Sequence, residues 1–287
     1  MLSTKAKMRI ARALNRIIVG ARASIGRDAI VRVRRGGVNW RLDLNEGIDL
    51  AIYLGVYQAI PSRVISEWIR PESLVIDIGA NIGSHCLPMA RRLGPAGRVL
   101  AIEPTDYAFA KLVANADLNR DIRQRIVPVQ AMLGEHSDRP TAPASVYSRW
   151  PLSSGPDRHA EHLGQLETAA GARFATLDGL LDELRKAHRI ASPVSFVKLD
   201  VDGSELGVLL GGRRTFGVER PPMLIEIAPH SQDEVPKRFE ALLATLGGFG
   251  YRLEEAGTGK PMPMSADGLR KLIKHGASVD AVARPTR

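Results

Sequence analysis

Hydrophobic and polar positions change period several times along the chain, and each change marks an element. The stretch "AIVRVRRGGVNWRLDL" alternates apolar with charged residues around Gly36-Gly37, which predicts a β-hairpin with one wet face. From Ile48 to Ile69 the spacing is helical, with an interruption at Pro61. "SLVIDIGANIG" then runs as a continuously apolar, buried strand into a glycine turn. The alternation repeats with a helix at "SHCLPMARRLG", a strand at "RVLAIEP", a helix at "YAFAKLVANADLN" and a strand at "RIVPVQAML". Pro88 fits the first of these helices only within its first turn. Residues 137–172, rich in Ser, Pro, Ala and Gly, break the rhythm and predict an irregular insertion. It resumes as helix "TLDGLLDELRKAH", strand "VSFVKLDV", helix "SELGVLLGGRRTF" and strand "PMLIEIAP". A helix over residues 234–246, the strand "YRLEE", a helix near 266–275 and a last strand at "SVDAVA" close the chain.

Strands alternating with helices predict an α/β fold: a doubly wound, mainly parallel seven-stranded Rossmann-like sheet, preceded by a helix and hairpin extension. The expected division is a basic extension over 1–44 and one catalytic domain over 45–287. At 287 residues and 44% hydrophobic content the chain can bury a core of that size. In such a sheet ligands sit at the carboxyl ends of the strands, near the switch point.

Charge changes the picture at one end only. Residues 1–41 hold 11 of the 40 Lys and Arg but a single acidic residue, Asp28, while the remainder carries 29 basic against 30 acidic residues. Leu2, Met8, Ile10, Leu14, Ile17 and Ile18 interleave with the early charges at partly helical spacing. Two expectations follow for this arm, a solvated, frayed helix or a basic amphipathic helix that meets an anionic membrane surface or an acidic polymer. An Arg-rich, acid-poor start also has the composition of an organelle transit peptide, though nothing further along the chain supports one. The single cysteine, Cys86, excludes an internal disulfide and reads as a small buried hydrophobe in a reducing compartment. No apolar run reaches the ~18 residues of a spanning helix. A cytoplasmic protein, peripheral to the membrane if the arm binds lipid, is the expectation.

Candidate chemistry gathers at the first strand end, Asp77-Ile78-Gly79-Ala80-Asn81-Ile82-Gly83, where glycines allow a tight turn and close approach to a ligand. Glu103 ends the second strand and stands where it can accept hydrogen bonds from a ribose. Together they describe an adenosine site. A dinucleotide needs G-x-G-x-x-G to seat its pyrophosphate, whereas this turn reads D-x-G-x-N-x-G and opens with an acidic residue. That residue suits the cationic end of S-adenosylmethionine better than a pyrophosphate.

The ordered blocks "VIDIGANIG", "RVLAIEP", "FATLDGL", "FVKLDVDGSELGVLLGG" and "PPMLIEIAP" resemble the FkbM family of methyltransferases. The resemblance covers approximately residues 45–287 and implies an S-adenosylmethionine-dependent O-methyltransferase acting on hydroxyls of sugars, polysaccharides or macrolide products. It further implies that Asp77, Gly79, Asn81 and Gly83 hold the methionine end, Glu103 the ribose, and Met132 the adenine. Asp202 stands where the family pattern has D-V-E-G, and Gln58 where a glutamate often follows G-V-Y.

Methylating a hydroxyl requires in-line approach and removal of a weakly acidic proton during attack. Asp200 is the leading catalytic candidate, at the end of "FVKLD"; Lys198 stands beside it, and Glu226 and His230 follow at the next strand end. Asp202 and Glu205 read instead as a capping box for the following helix. The chain lacks the N/D-P-P-Y/F block of many amino-group methyltransferases, a Pro-Cys nucleophile and an H-x-E with C-x-x-C zinc set. His159 and His162 around Glu161 read as a polar loop face, and no metal set is identified. Nonspecific polyanion or nucleic-acid binding by the arm, and an amino-group acceptor, stand as the alternative functions. Against specific nucleic-acid recognition, only Trp40 offers a stacking aromatic near the arm.

Overall fold

The computed structural model describes residues 4–57, 60–137, 145–152, 164–232 and 235–286. In chain order the elements are α1 (Thr4–Ala23), β1 (Ile30–Arg35), β2 (Val38–Asp43), α2 (Gly47–Leu54), α3 (Ser62–Trp68), β3 (Leu74–Ile78), α4 (Cys86–Arg92), β4 (Arg98–Ile102), α5 (Asp106–Asp117), β5 (Ile126–Val129), β6 (Ala131–Leu133), β7 (Ser145–Arg149), β8 (Gln165–Thr168), β9 (Arg173–Ala175), α6 (Leu177–Ala187), β10 (Val194–Leu199), α7 (Glu205–Gly211), β11 (Met223–Ile227), α8 (Pro229–Gln232), α9 (Arg238–Gly248), β12 (Tyr251–Glu255), α10 (Ala266–Leu272) and β13 (Val279–Pro285).

Seven strands form the central sheet in the order β12-β13-β11-β10-β3-β4-β5. The inner strands pair in parallel, and β13 runs against both of its neighbours. The chain winds outward from β3 to β5, then crosses back to β10 on the other side of β3. That reversal opens a crevice above the ends of β3 and β10. All five residues of β3 are buried, as a central parallel strand covered on both faces must be. Its alternation divides the core: Leu74, Ile76 and Ile78 pack with α6, α7 and α9, while Val75 joins Val99, Phe196 and the N-terminal elements. Pro88 lies in the first turn of α4, where a missing N–H is harmless.

The hairpin of β1 and β2 shares the second core through Val31, Val38, Trp40 and Leu42. Two buried asparagines, Asn115 of α5 and Asn119 just after it, complete its edge: Asn119 Oδ1 accepts the Asn39 N–H at 2.9 Å and Asn115 Oδ1 accepts the Arg41 N–H at 2.8 Å. Unpaired edge donors thus find partners that water would otherwise supply.

Three segments depart from the periodicity. The helix expected over 48–69 already stops at Leu54, because Gly55 takes a left-handed φ of 73° and closes the turn. The strand "RIVPVQAML" splits after Val129; β6 leaves the sheet and pairs with β9. The insertion is not wholly irregular, since β7 and β8 form an antiparallel hairpin within it. Among the described residues no helix is long and apolar enough to cross a membrane. Cys86 is buried and free, as its apolar neighbours implied.

Candidate active site

Above the crevice lies a cavity of about 190 Å³ that opens to solvent. Its wall is built from the ends of β3, β4 and β10, from β6, and from β7 with Trp150; Ile48 and Tyr57 complete one side. At one end stands Glu103, 3% exposed. Its Oε1 accepts the Thr105 N–H at 3.0 Å and the Thr105 hydroxyl at 2.5 Å, while Oε2 accepts the Asn81 N–H at 2.9 Å. These bonds fix the carboxylate's plane and leave one acceptor position on Oε2. Burial raises its pKa, and the same hydrogen bonds oppose the rise.

The glycine turn is shaped by packing rather than by donors aimed at a ligand. Gly79 has φ 80°, and an added Cβ would fall 1.9 Å from the Asp200 carbonyl oxygen, so a side chain there would block the approach of the β10 end. The N–H groups of Gly79 and Ala80 both go to the Ile102 carbonyl, that of Ile82 to Asn81 Oδ1, and that of Gly83 to the Ala80 carbonyl. With Asn81 N–H given to Glu103, the turn keeps no cluster of free N–H groups for a pyrophosphate.

At the opposite end, Asp200, Asp202 and Glu226 each offer a carboxylate oxygen, all within 4.8 Å of one another. Lys198 is 4% exposed beneath them, its Nζ 3.2 Å from Asp200, 3.6 Å from Asp77 and 2.9 Å from the Gly79 carbonyl. Loss of hydration, then repulsion from Asp200 and Glu205, lifts the Asp202 carboxyl to about 8, although this residue still faces solvent at the cavity. Burial, reinforced by Asp200 and Asp202, raises Glu226 well above the usual carboxylate range. The Tyr57 hydroxyl, 2.9 Å from Ser84 Oγ, is pushed to about 12 by burial.

Residues 77–253 match the family described as Methyltransferase FkbM domain. The chain belongs to the FkbM methyltransferase family. A search of curated proteins gives no match. Among solved structures, the chain is similar to a methyltransferase FkbM from Methylobacillus flagellatus KT, with 17% identity and a TM-score of 0.43 over 75% of this chain and 44% of that one. It therefore spans under half of that protein's length. It is also similar to a precorrin-6y C5,15-methyltransferase from Geobacter metallireducens GS-15 (12% identity, TM-score 0.42, 78% of this chain and 87% of that chain). A third is Aeropyrum pernix fibrillarin in complex with natively bound S-adenosyl-L-methionine (12%, 0.41, 88% and 81%). These likenesses carry no inference about substrate.

S-adenosylmethionine is the cofactor of this FkbM chain, and the cavity fits it. Ile102, Met132 and Leu133 offer an apolar wall for a purine, and Glu103 an acceptor for ribose hydroxyls. The carboxyl groups of Glu103, Asp200, Asp202 and Glu226 make the cavity rich in acceptors for a cationic ligand.

Of the residues named from sequence, Gly79, Asn81, Glu103, Met132, Asp200 and Glu226 come together around the cavity. Asp77 and Gly83 are not among its lining residues. Asp77 is fully buried beneath the turn beside Lys198, and Gly83, at φ 93°, packs against α4, where an added Cβ would lie 2.2 Å from Leu87 Cδ1. His230 does not reach the cavity either; it lies in α8 with its ring centroid 6.5 Å from that of His275. The capping box expected of Asp202 and Glu205 does not form, because Ser204 occupies the N-cap and Glu205 is the first residue of α7. Glu205 accepts the N–H groups of Val201 and Gly203 at 3.2 and 3.3 Å, whereas Asp202, at φ 46°, turns away from the helix toward Asp200 and Glu226. Gln58, His159, Glu161 and His162 lie outside the described residues.

Sequence reasoning missed the roof. Val146, Tyr147, Ser148 and Trp150 all line the cavity, and Asn81 Nδ2 donates to the Ser148 carbonyl at 3.0 Å. Arg149 anchors this roof to Glu46 at 2.5 Å and Glu167 at 3.0 Å, and stacks over Tyr107 at 4.5 Å. The only signal in the sequence was the pair of aromatics, Tyr147 and Trp150, inside a stretch otherwise rich in Ser, Pro, Ala and Gly.

Proposed function

We propose that this FkbM methyltransferase transfers its methyl group to a hydroxyl of a sugar, a polysaccharide or a glycosylated or macrolide product. The observation that supports this reading is the carboxylate cluster of Asp200, Asp202 and Glu226 at the cavity end away from Glu103. A neutral amine attacks without first losing a proton, but a hydroxyl must be deprotonated as it attacks, so a hydroxyl acceptor needs a base in place. Bound S-adenosylmethionine supplies an electrophilic methyl on a positively charged sulfur. Glu103 holds the ribose end, and the Met132 wall orients the purine. Lys198 fixes Asp200 through their 3.2 Å ion pair, so that Asp200 positions the acceptor hydroxyl. Asp202, open to the cavity and grouped with Asp200 and Glu226, is placed to take the hydroxyl proton when its carboxylate is ionised. Glu226 shares that proton and keeps the cluster's charge from rising during turnover.

The test is a methyl-transfer assay with labelled donor on a panel of hydroxyl-bearing glycans and matched amino sugars. Label in an alkali-stable ether, lost in Asp202→Asn, is expected. Label on the amino nitrogen, with turnover unchanged in that variant, would replace the hydroxyl reading with the amino-group one.

A further inference from the structure

Helix α1 carries two apolar stripes on opposite sides. Met8, Ala11, Ile18 and Val19 face the protein and join its second core. Ile10, Leu14 and Ile17 face outward at 52%, 38% and 68% exposure. At roughly 100° per residue, these three share one outward sector with the exposed Ala13, Gly20 and Ala21, and no charged residue falls inside it. Exposed Arg9 and Arg16 border the sector on one side and Lys7 on the other. A helix kept only for solubility has no reason to turn three large aliphatic side chains to water with cations at both margins.

The helix also abuts the cavity wall. Asn15 Nδ2 donates to the Leu44 carbonyl at 2.8 Å, and Met8 packs beside Gly47, whose N–H donates to the Trp150 carbonyl at 2.9 Å. Trp150 and Ile48 line the cavity. The Lys7 charge acts on Asp280, the cross-strand neighbour of Glu226. The N-terminal end of the packing face is therefore tied, through Gly47, to the Trp150 wall of the active site.

We infer that α1 is an interfacial helix that lays Ile10, Leu14 and Ile17 into an anionic bilayer and holds the cavity at that surface. The commitment to lipid rests on the combination of features. Cations alone suit any polyanion, and an apolar stripe alone suits a second copy of the chain, but an apolar sector edged by Arg and Lys matches acyl chains beneath anionic headgroups. Attachment to the membrane is independent of methyl transfer.

Co-sedimentation of the full chain with vesicles of phosphatidylcholine alone, or of phosphatidylcholine with phosphatidylglycerol, tests the inference. Binding to the anionic vesicles only is expected, weakened by salt. A fall of at least about tenfold is expected in Ile10→Asp/Ile17→Asp and in Arg9→Gln/Arg16→Gln. Unchanged affinity for S-adenosylhomocysteine in both variants confirms that fold and donor site are intact, so a failure of attachment is separable from a failure of the methyltransferase reading. Three results would overturn it: no preference for anionic vesicles, vesicle binding that survives Ile10→Asp/Ile17→Asp, or a wild-type dimer that this double variant converts to monomer. Single-stranded RNA bound as tightly as the anionic vesicles, and equally by Ile10→Asp/Ile17→Asp, would also overturn it in favour of a polyanion surface.

Discussion

At the β4 end of the cavity one carboxylate, Glu103, accepts three hydrogen bonds, two from Thr105 in its own loop and one from Asn81 in the glycine turn after β3. At the β10–β11 end three carboxylates crowd within 4.8 Å, served by one ammonium. The first arrangement satisfies its charge locally and holds the carboxylate rigid. The second leaves charge unsatisfied, which raises proton affinity and makes the group responsive to whatever enters. The same functional group thus receives opposite treatments at the two ends of one cavity, with β3 between β4 and β10.

The contrast breaks most visibly at Asp200. Asp200→Asn keeps the shape but removes the charge paired with Lys198, and a fall in turnover of about 10²–10⁴-fold is expected, with donor affinity preserved. Single-turnover kinetics beside calorimetry would separate the two quantities. Lost donor affinity instead would move Asp200 to the binding end.

Glu103→Ala should do the reverse, weakening S-adenosylhomocysteine binding by about 1–3 kcal/mol through lost charge-assisted bonds. A melting curve on the same sample checks that the orphaned Asn81 and Thr105 donors have not unfolded the loop. Unchanged affinity in a folded variant removes Glu103 from the ribose.

The roof tests whether rigidity at the binding end is imposed from above. Arg149→Ala strands Glu46, which is 4% exposed, without its partner, at an expected cost of about 1–2 kcal/mol of stability. Burial already raises the Glu46 pKa against the pull of Arg149, so the carboxyl should protonate more readily in the variant. Chemical denaturation reads the loss, and a KM for donor that rises while kcat holds would locate it at the roof.

The smallest expected effect concerns pH. The folded state lifts Asp202 above the ordinary aspartate value to about 8, so folding favours its protonated form. Stability from this group is full below about pH 4 and declines as pH rises toward 8. Asp202→Asn, an exchange that a left-handed φ tolerates, should therefore stabilise the protein at pH 8 by about 1 kcal/mol after allowing for solvent screening, and not at pH 4. Thermal melts at the two pH values check it. Equal stability at pH 8 would mean that water at the cavity mouth already relieves the carboxylate.

The α/β order, the strand ends and six of the cavity-lining residues were legible in the chain, because buried parallel strands require unbroken apolar runs and a ribose-binding carboxylate requires a fixed place after the second one. "VIDIGANIG" and "RVLAIEP" state those requirements locally. What the chain could not state was direction. Asp77 and Asp200 both sit at apolar strand ends, yet one is buried beneath the turn and the other opens to the cavity, since strand register and the position of Lys198 are settled between strands 120 residues apart in sequence. Asp202 and Glu205 share a capping spacing, but only Glu205 accepts the loop's N–H groups, because the left-handed backbone at Asp202 turns its side chain the other way. The roof of β7 and Trp150 had no periodic signal at all: its hold on the site comes from Arg149, Glu46 and Tyr107, contacts that exist only once distant segments have been packed together.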